Sequence, residues 1–193
     1  MKQMNSIVKV APIVVTTLTA MFALFATVTS IRAGEIRFWE MPKGCSWTEK
    51  YSNGNEWVST FVGKRNGAFR VVTRNKVGSR ERISTTDYNE SGLMTRRVWA
   101  GNKWESFEPH SCFGVAGKCT YTYRNADGEE FEISSKTSAL SNSVFRVDAS
   151  SSKTGKFPVD TVRTTQFGLQ LSSENANFSS TMTELRSCNL PIS

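Results

Sequence analysis

From Trp47 onward, apolar and polar residues alternate with a period of two. Phe69, Val71 and Thr73 share one side of a run whose other side is Arg70, Val72 and Arg74. Cys119, Tyr121 and Tyr123 oppose Thr120, Thr122 and Arg124, and Phe131 and Ile133 oppose Glu130, Glu132 and Ser134. Phe167, Leu169 and Leu171 oppose Gly168 and Gln170. Such alternation predicts antiparallel strands with one buried and one wetted face. No stretch after residue 34 carries the period of an amphipathic helix. Turn signals punctuate the strands at Asn53-Gly54, Asn66-Gly67, Gly78, Ser91-Gly92, Gly101-Asn102, Asp127-Gly128, Asn142 and Gly155. Asn-Gly and Asp-Gly pairs supply the positive φ angles of tight hairpins.

Two blocks recur. Gly54–Phe61 returns as Gly101–Phe107, and Arg74–Ser84 returns as Arg124–Ser134. The extra residues fall between the blocks, beside Cys112 and Cys119. A fainter third copy pairs Gly155-Lys156-Phe157 with Asn102-Lys103-Trp104, and 167–183 with 69–85. The repeats then lie near 47–92, 94–141 and, most faintly, 144–188. A period of this length is one supersecondary unit of four short strands. The expected fold is therefore all-β: an antiparallel meander of roughly ten to twelve short strands closing, or half closing, into a barrel. A β-trefoil-like threefold repeat is the alternative.

The first 33 residues are a different material. They hold no acid, carry Lys2 and Lys9 near the start, and run uncharged from Val10 to Ile31. A basic start, an apolar middle and a small-residue exit at Ala33 read as a secretory signal peptide, with an uncleaved anchor as the other reading. The remaining 34–193 are expected to form a single β domain. Without Lys2, Lys9 and Arg32 the chain keeps 21 basic against 17 acidic residues. Export to a periplasmic or extracellular space means oxidation, so Cys45, Cys112, Cys119 and Cys188 should pair. Cys112–Cys119 closes a short loop and Cys45–Cys188 ties the ends together, worth roughly 2.5 and roughly 5 kcal/mol in chain entropy. No C-x-x-C is present and there is one histidine, so neither a metal site nor a cofactor is expected.

Charge is uneven. Ten basic residues and three acids lie between Gly63 and Lys103; six acids and two basic residues lie between Glu105 and Glu132. Arg70, Arg74, Arg80, Arg82, Arg96 and Arg97 are the candidate ligand-binding cations, with Trp99 as the candidate aromatic platform. The competing reading pairs opposite charges across neighbouring strands. Trp57 and Trp104 occupy equivalent repeat positions, which suggests a repeated core residue. His110 beside Ser111 lacks the elbow that presents a nucleophile. Ser150–Lys153 and Lys153–Gly155 match penicillin-interacting motifs but share one lysine, and read as a Ser-rich turn. Gly114–Lys118 lacks the spacing of a phosphate loop. Glu129, Glu130 and Glu132 could supply paired carboxylates.

These features point to a non-catalytic exported binding protein. The leading ligand is lipid-like or amphipathic and lies inside the barrel, with basic residues at its anionic end. A surface binder of acidic polysaccharide or another polyanion is the first alternative, and a carboxylate-based hydrolase the second. No specific nucleic-acid signal is present, and the only membrane segment is the N-terminal one if it stays uncleaved.

Overall fold

A computed structural model describes residues 36–77, 80–165 and 167–188. The expected signal peptide lies outside them, as does the turn at Gly78. After a single 3-10 turn, Phe38–Glu40, the chain is all strand: β1 (Ser46–Tyr51), β2 (Glu56–Arg65), β3 (Ala68–Val77), β4 (Arg80–Tyr88), β5 (Met94–Trp99), β6 (Trp104–Glu108), β7 (Gly117–Arg124), β8 (Glu130–Ala139), β9 (Val144–Ser151), β10 (Gly155–Lys156), β11 (Asp160–Thr164), β12 (Gln170–Glu174) and β13 (Ser179–Arg186). Asn66-Gly67 and Gly101-Asn102 take positive φ at both central positions, the geometry that matches strand twist in two-residue hairpins.

Every strand is antiparallel to its neighbours. β1 to β9 pair in succession, β11 to β13 follow from β9, and β13 closes the round on β1. The result is a closed twelve-strand meander, with the short β10 as an extra strand on β9. All twelve strands share one round, which is the meander and not the trefoil. The segments near 47–92, 94–141 and 144–188 hold β1–β4, β5–β8 and β9–β13 respectively.

The alternation read from the sequence sets the walls. Val71, Tyr121, Ile133, Phe145 and Val147 are buried toward the interior, while Arg74, Glu132, Lys136 and Arg146 are exposed outside. A charged exterior on strand after strand is the reverse of a membrane barrel's apolar band. One expectation fails in detail. Phe167–Leu169 is not strand but turn: the Thr165 hydroxyl accepts from the Phe167 and Leu169 amides. Its apolar residues are buried because the turn folds into the closed end of the barrel.

That end is plugged by the segment before β1. Phe38 packs against Phe61, Phe69 and Tyr88, with ring centroids 5.1, 5.5 and 4.7 Å away. The Ile36 amide donates to Gly92 O and the Arg37 amide to Phe167 O. A Cβ on Gly92 would collide with Ile36 O, so only glycine lets the plug approach here. Cys45–Cys188 staples the β13–β1 seam beside the plug, and Cys112–Cys119 closes the β6–β7 loop. Two disulfides are the chemistry of an oxidising environment.

Candidate functional site

The barrel interior divides into a packed end, a polar belt and a small cavity between them. Eight strands enclose a space that side chains just fill. Twelve strands at roughly 4.8 Å spacing and about 40° tilt make a circular barrel roughly 24 Å across. Side chains fill that width unevenly. The buried apolar residues form two separate clusters, one under Phe38 and one around Phe107, Tyr121 and Ile133.

Arg97 occupies the belt. Its register opposite Thr86 on β4 and Glu105 on β6 turns it inward. The Nε donates to Thr86 Oγ1 at 3.3 Å, one terminal nitrogen lies 3.4 Å from Met94 Sδ, and the other is 3.9 Å from a Glu105 carboxylate oxygen. The guanidinium also lies over the Trp99 ring, 5.5 Å from its centroid. An arginine has five donors, and these contacts are long or weak for a side chain only 23% exposed. Tyr123 donates to Glu105, and its hydroxyl is pushed up to about 12 by burial first and by Glu105 second. Burial likewise raises Tyr88, next to Phe38.

Across the belt, Glu49, Trp57 and Asn75 lie opposite one another on β1, β2 and β3. Burial pushes the Glu49 carboxyl up to about 7. Among the described residues, the buried Trp57 Nε1 and Asn75 Oδ1 have no hydrogen-bond partner, and neither do the hydroxyls of Ser135, Thr137 and Thr164 on the far wall. Buried polar atoms are nearly always paired, so five orphans facing one interior mark a place for polar guests such as ligand atoms or water.

Below the belt is a cavity of about 210 Å³. Its walls include Ile36, Tyr88, Met94, Phe113, Val162 and Thr164. Those residues come from opposite sides of the barrel, so the cavity spans it. Met94 belongs both to this wall and to the Arg97 contact, and so joins an apolar hollow to a cationic head.

The structure separates the arginines grouped by charge alone. Arg70 faces outward and holds Asp87 through two hydrogen bonds of 2.7 and 3.0 Å. Arg74, also outward, reaches Glu81 at 3.5 Å. Arg96 and Arg124 both lie over the ring of the outward Trp104, 5.3 and 4.7 Å from its centroid. Arg80 and Arg82 are exposed at the start of β4. Arg97 and Trp99 are the members of that set partly buried on the inner face; Arg82 has the same strand parity, opposite Asn75, but is exposed at the rim. The two repeat-equivalent tryptophans part company: Trp57 points inward and Trp104 outward, because an offset of one residue in a strand changes the face.

The remaining motifs lie elsewhere. Glu130 and Glu132 are exposed on the outer side of β8, Glu130 paired with Arg124 at 3.7 Å and Glu129 with Lys153. Ser151 Oγ accepts from the Lys153 and Thr154 amides, which makes that stretch a turn. His110 is half-buried in the β6–β7 loop with Nδ1 unpartnered, beside the buried Ser111. No cluster of His, Cys, Asp and Glu able to hold a metal occurs among the described residues. Glu49 and Glu105 went unread in the sequence. Their signal was available, since each alternates with inward aromatics, Trp47 and Tyr51 for one and Phe107 for the other.

Comparison of the chain with protein-family models, with curated proteins and with solved structures finds no significant match.

Proposed function

We propose that the protein is a non-catalytic, exported binding protein that holds an amphipathic, lipid-like ligand inside its barrel. The anionic end of the ligand sits on Arg97 and its apolar end enters the cavity walled by Met94, Phe113 and Val162. The observation that carries this reading is the position of Arg97, where the polar belt and the apolar cavity meet. Its guanidinium presents a flat fork suited to a carboxylate or phosphate. Pockets of this kind are mostly apolar with a few placed polar groups. Trp57, Asn75 and the wall hydroxyls supply those groups, and the paired cysteines and the leader-like N-terminus support export.

The test is native mass spectrometry of the protein purified gently from its own host, followed by binding of a medium-chain fatty acid to the delipidated chain. A retained adduct of lipid size is expected. Arg97→Gln should weaken fatty-acid binding at least tenfold while Arg97→Lys weakens it less. A clean native mass together with no fatty-acid binding would end the proposal.

A further inference from the structure

The outer face of β7, β8 and β9 has a feature that its neighbours lack. Lys118 is directly opposite Lys136. Lys136 is in turn opposite Asp148, but Asp148 is held by Arg146 through two hydrogen bonds of 3.1 and 3.2 Å. Lys156 of β10 lies opposite Ser150, one row along. Among the described residues no carboxylate comes within ion-pair distance of Lys118, Lys136 or Lys156. At the Lys118 end of this face, four cations (Lys118, Lys136, Arg146 and Lys156) against Asp148 leave +3, while Glu130 and Glu132 lie farther along β8. Like charges directly opposite on paired strands repel, and an anion placed between them turns that repulsion into attraction.

The face is also concave. A groove of about 810 Å³ runs over it, floored by Thr120 and Ser134 and walled on one side by Phe157 and Val159. Those two apolar side chains are 37% and 40% exposed. We infer that this groove binds an acidic polysaccharide. Lysines on adjacent strands stand about 4.8 Å apart at the backbone, comparable to the advance of one sugar ring along a chain. Hydroxyls beside the cations suit sugar hydroxyls, and one exposed ring suits the apolar face of a sugar. A planar bilayer does not enter a groove, and single-stranded nucleic acid needs a succession of stacking rings where this wall offers one. The inference is independent of the lumen, because Arg97 lies on the other side of the sheet.

The experiment uses the whole exported chain with oligogalacturonate as the probe, and with neutral dextran, phosphatidylglycerol vesicles and oligo(dT) as comparisons. Oligogalacturonate should bind at low salt, and the affinity should fall steeply as salt rises. Lys118→Gln with Lys136→Gln should weaken binding at least tenfold and flatten the salt slope by about two, near one unit for each lost cation. Arg74→Gln with Arg96→Gln, a pair of equal charge on the β3–β5 face, should change affinity less than twofold. Lys156→Gln with Phe157→Ala, in the exposed β10 hairpin, is a second variant should the first melt lower than the parent. No oligogalacturonate binding at low salt overturns the inference. So does an equal loss in the Arg74, Arg96 pair, or lysine-dependent binding of vesicles or oligo(dT) without oligogalacturonate.

Discussion

Phe38 and Glu49 lie within one barrel and obey opposite rules. Around Phe38 the space is filled: the ring is 1% exposed, three other rings touch it, and Leu169 and Val71 beside it are as deeply buried. Around Glu49 the groups are polar, and two of them, Trp57 Nε1 and Asn75 Oδ1, have no partner. An unsatisfied buried polar group costs about 1–3 kcal/mol. A fold that keeps several of them in one place, while packing tightly a few residues away, shows where stability comes from and where it has been given up. Breaks in local consistency of this kind concentrate at functional sites.

The largest effect should come from the packed end. Phe38→Ala removes a buried ring between three others and should lower unfolding free energy by about 3–5 kcal/mol, read from urea denaturation. An effect below 1 kcal/mol would mean the plug does not hold the barrel shut, and the contrast with the belt would collapse.

Glu49 should act next, and with the opposite sign. Its folded carboxyl titrates at about 7 against an ordinary 4.5. Between those values the folded chain holds a proton that the unfolded chain has released. Stability therefore falls as pH rises from about 4.5 to about 7 and levels off above it, by about 3 kcal/mol in all. Glu49→Gln should remove this slope and stabilise the protein at pH 8. Urea midpoints at pH 5 and pH 8 for both chains decide it; an unchanged slope in the variant would place the titration elsewhere.

Thr164→Val sharpens the comparison on the far wall. The Thr164 side chain is 3% exposed, its hydroxyl is unpartnered, and it lines the cavity. Valine keeps the shape and drops the orphan, so the ligand-free protein should gain about 1 kcal/mol. A loss of that size would show that a bound water satisfies the hydroxyl.

Most of the architecture was legible because strands write themselves in period two. Tyr121 and Thr122, or Ile133 and Glu132, declare their faces without any knowledge of their neighbours. The disulfides followed from the number of cysteines and the loops they close. The turn at Phe167–Leu169 was hidden because burial at the plugged end makes a turn look like a strand. The site was harder for a physical reason: a lumen is assembled from residues far apart in sequence, and its chemistry depends on which wall faces which. Arg97 and Trp99 were within reach as a cation beside an indole. The link from Arg97 through Met94 to a cavity bounded by Val162 was not, since only barrel closure brings β5 and β11 to opposite sides of one hollow.

The outer surface repeats the lesson at lower energy. Counting charges along the chain singles out 63–103 as the basic region, yet five of its ten cations meet an acid: Lys64 meets Glu90, Arg70 Asp87, Arg74 Glu81, Arg97 Glu105 and Lys103 Asp127. On β7 and β8 the cations are fewer, but Lys118 and Lys136 face each other directly. Removing one charge from each place should then change stability in opposite directions. Lys118→Gln relieves a like-charge pair and should raise stability by a few tenths of a kcal/mol at low salt, an increment that fades as salt screens it. Arg70→Gln breaks a two-bond pair with the partly buried Asp87 and should lower stability by up to about 1 kcal/mol. Parallel melts of the two variants in 10 mM and 500 mM salt measure both signs. A destabilised Lys118→Gln would mean that an acid already serves that lysine in solution, and the β7–β9 face would then be as self-complementary as the β3–β5 face.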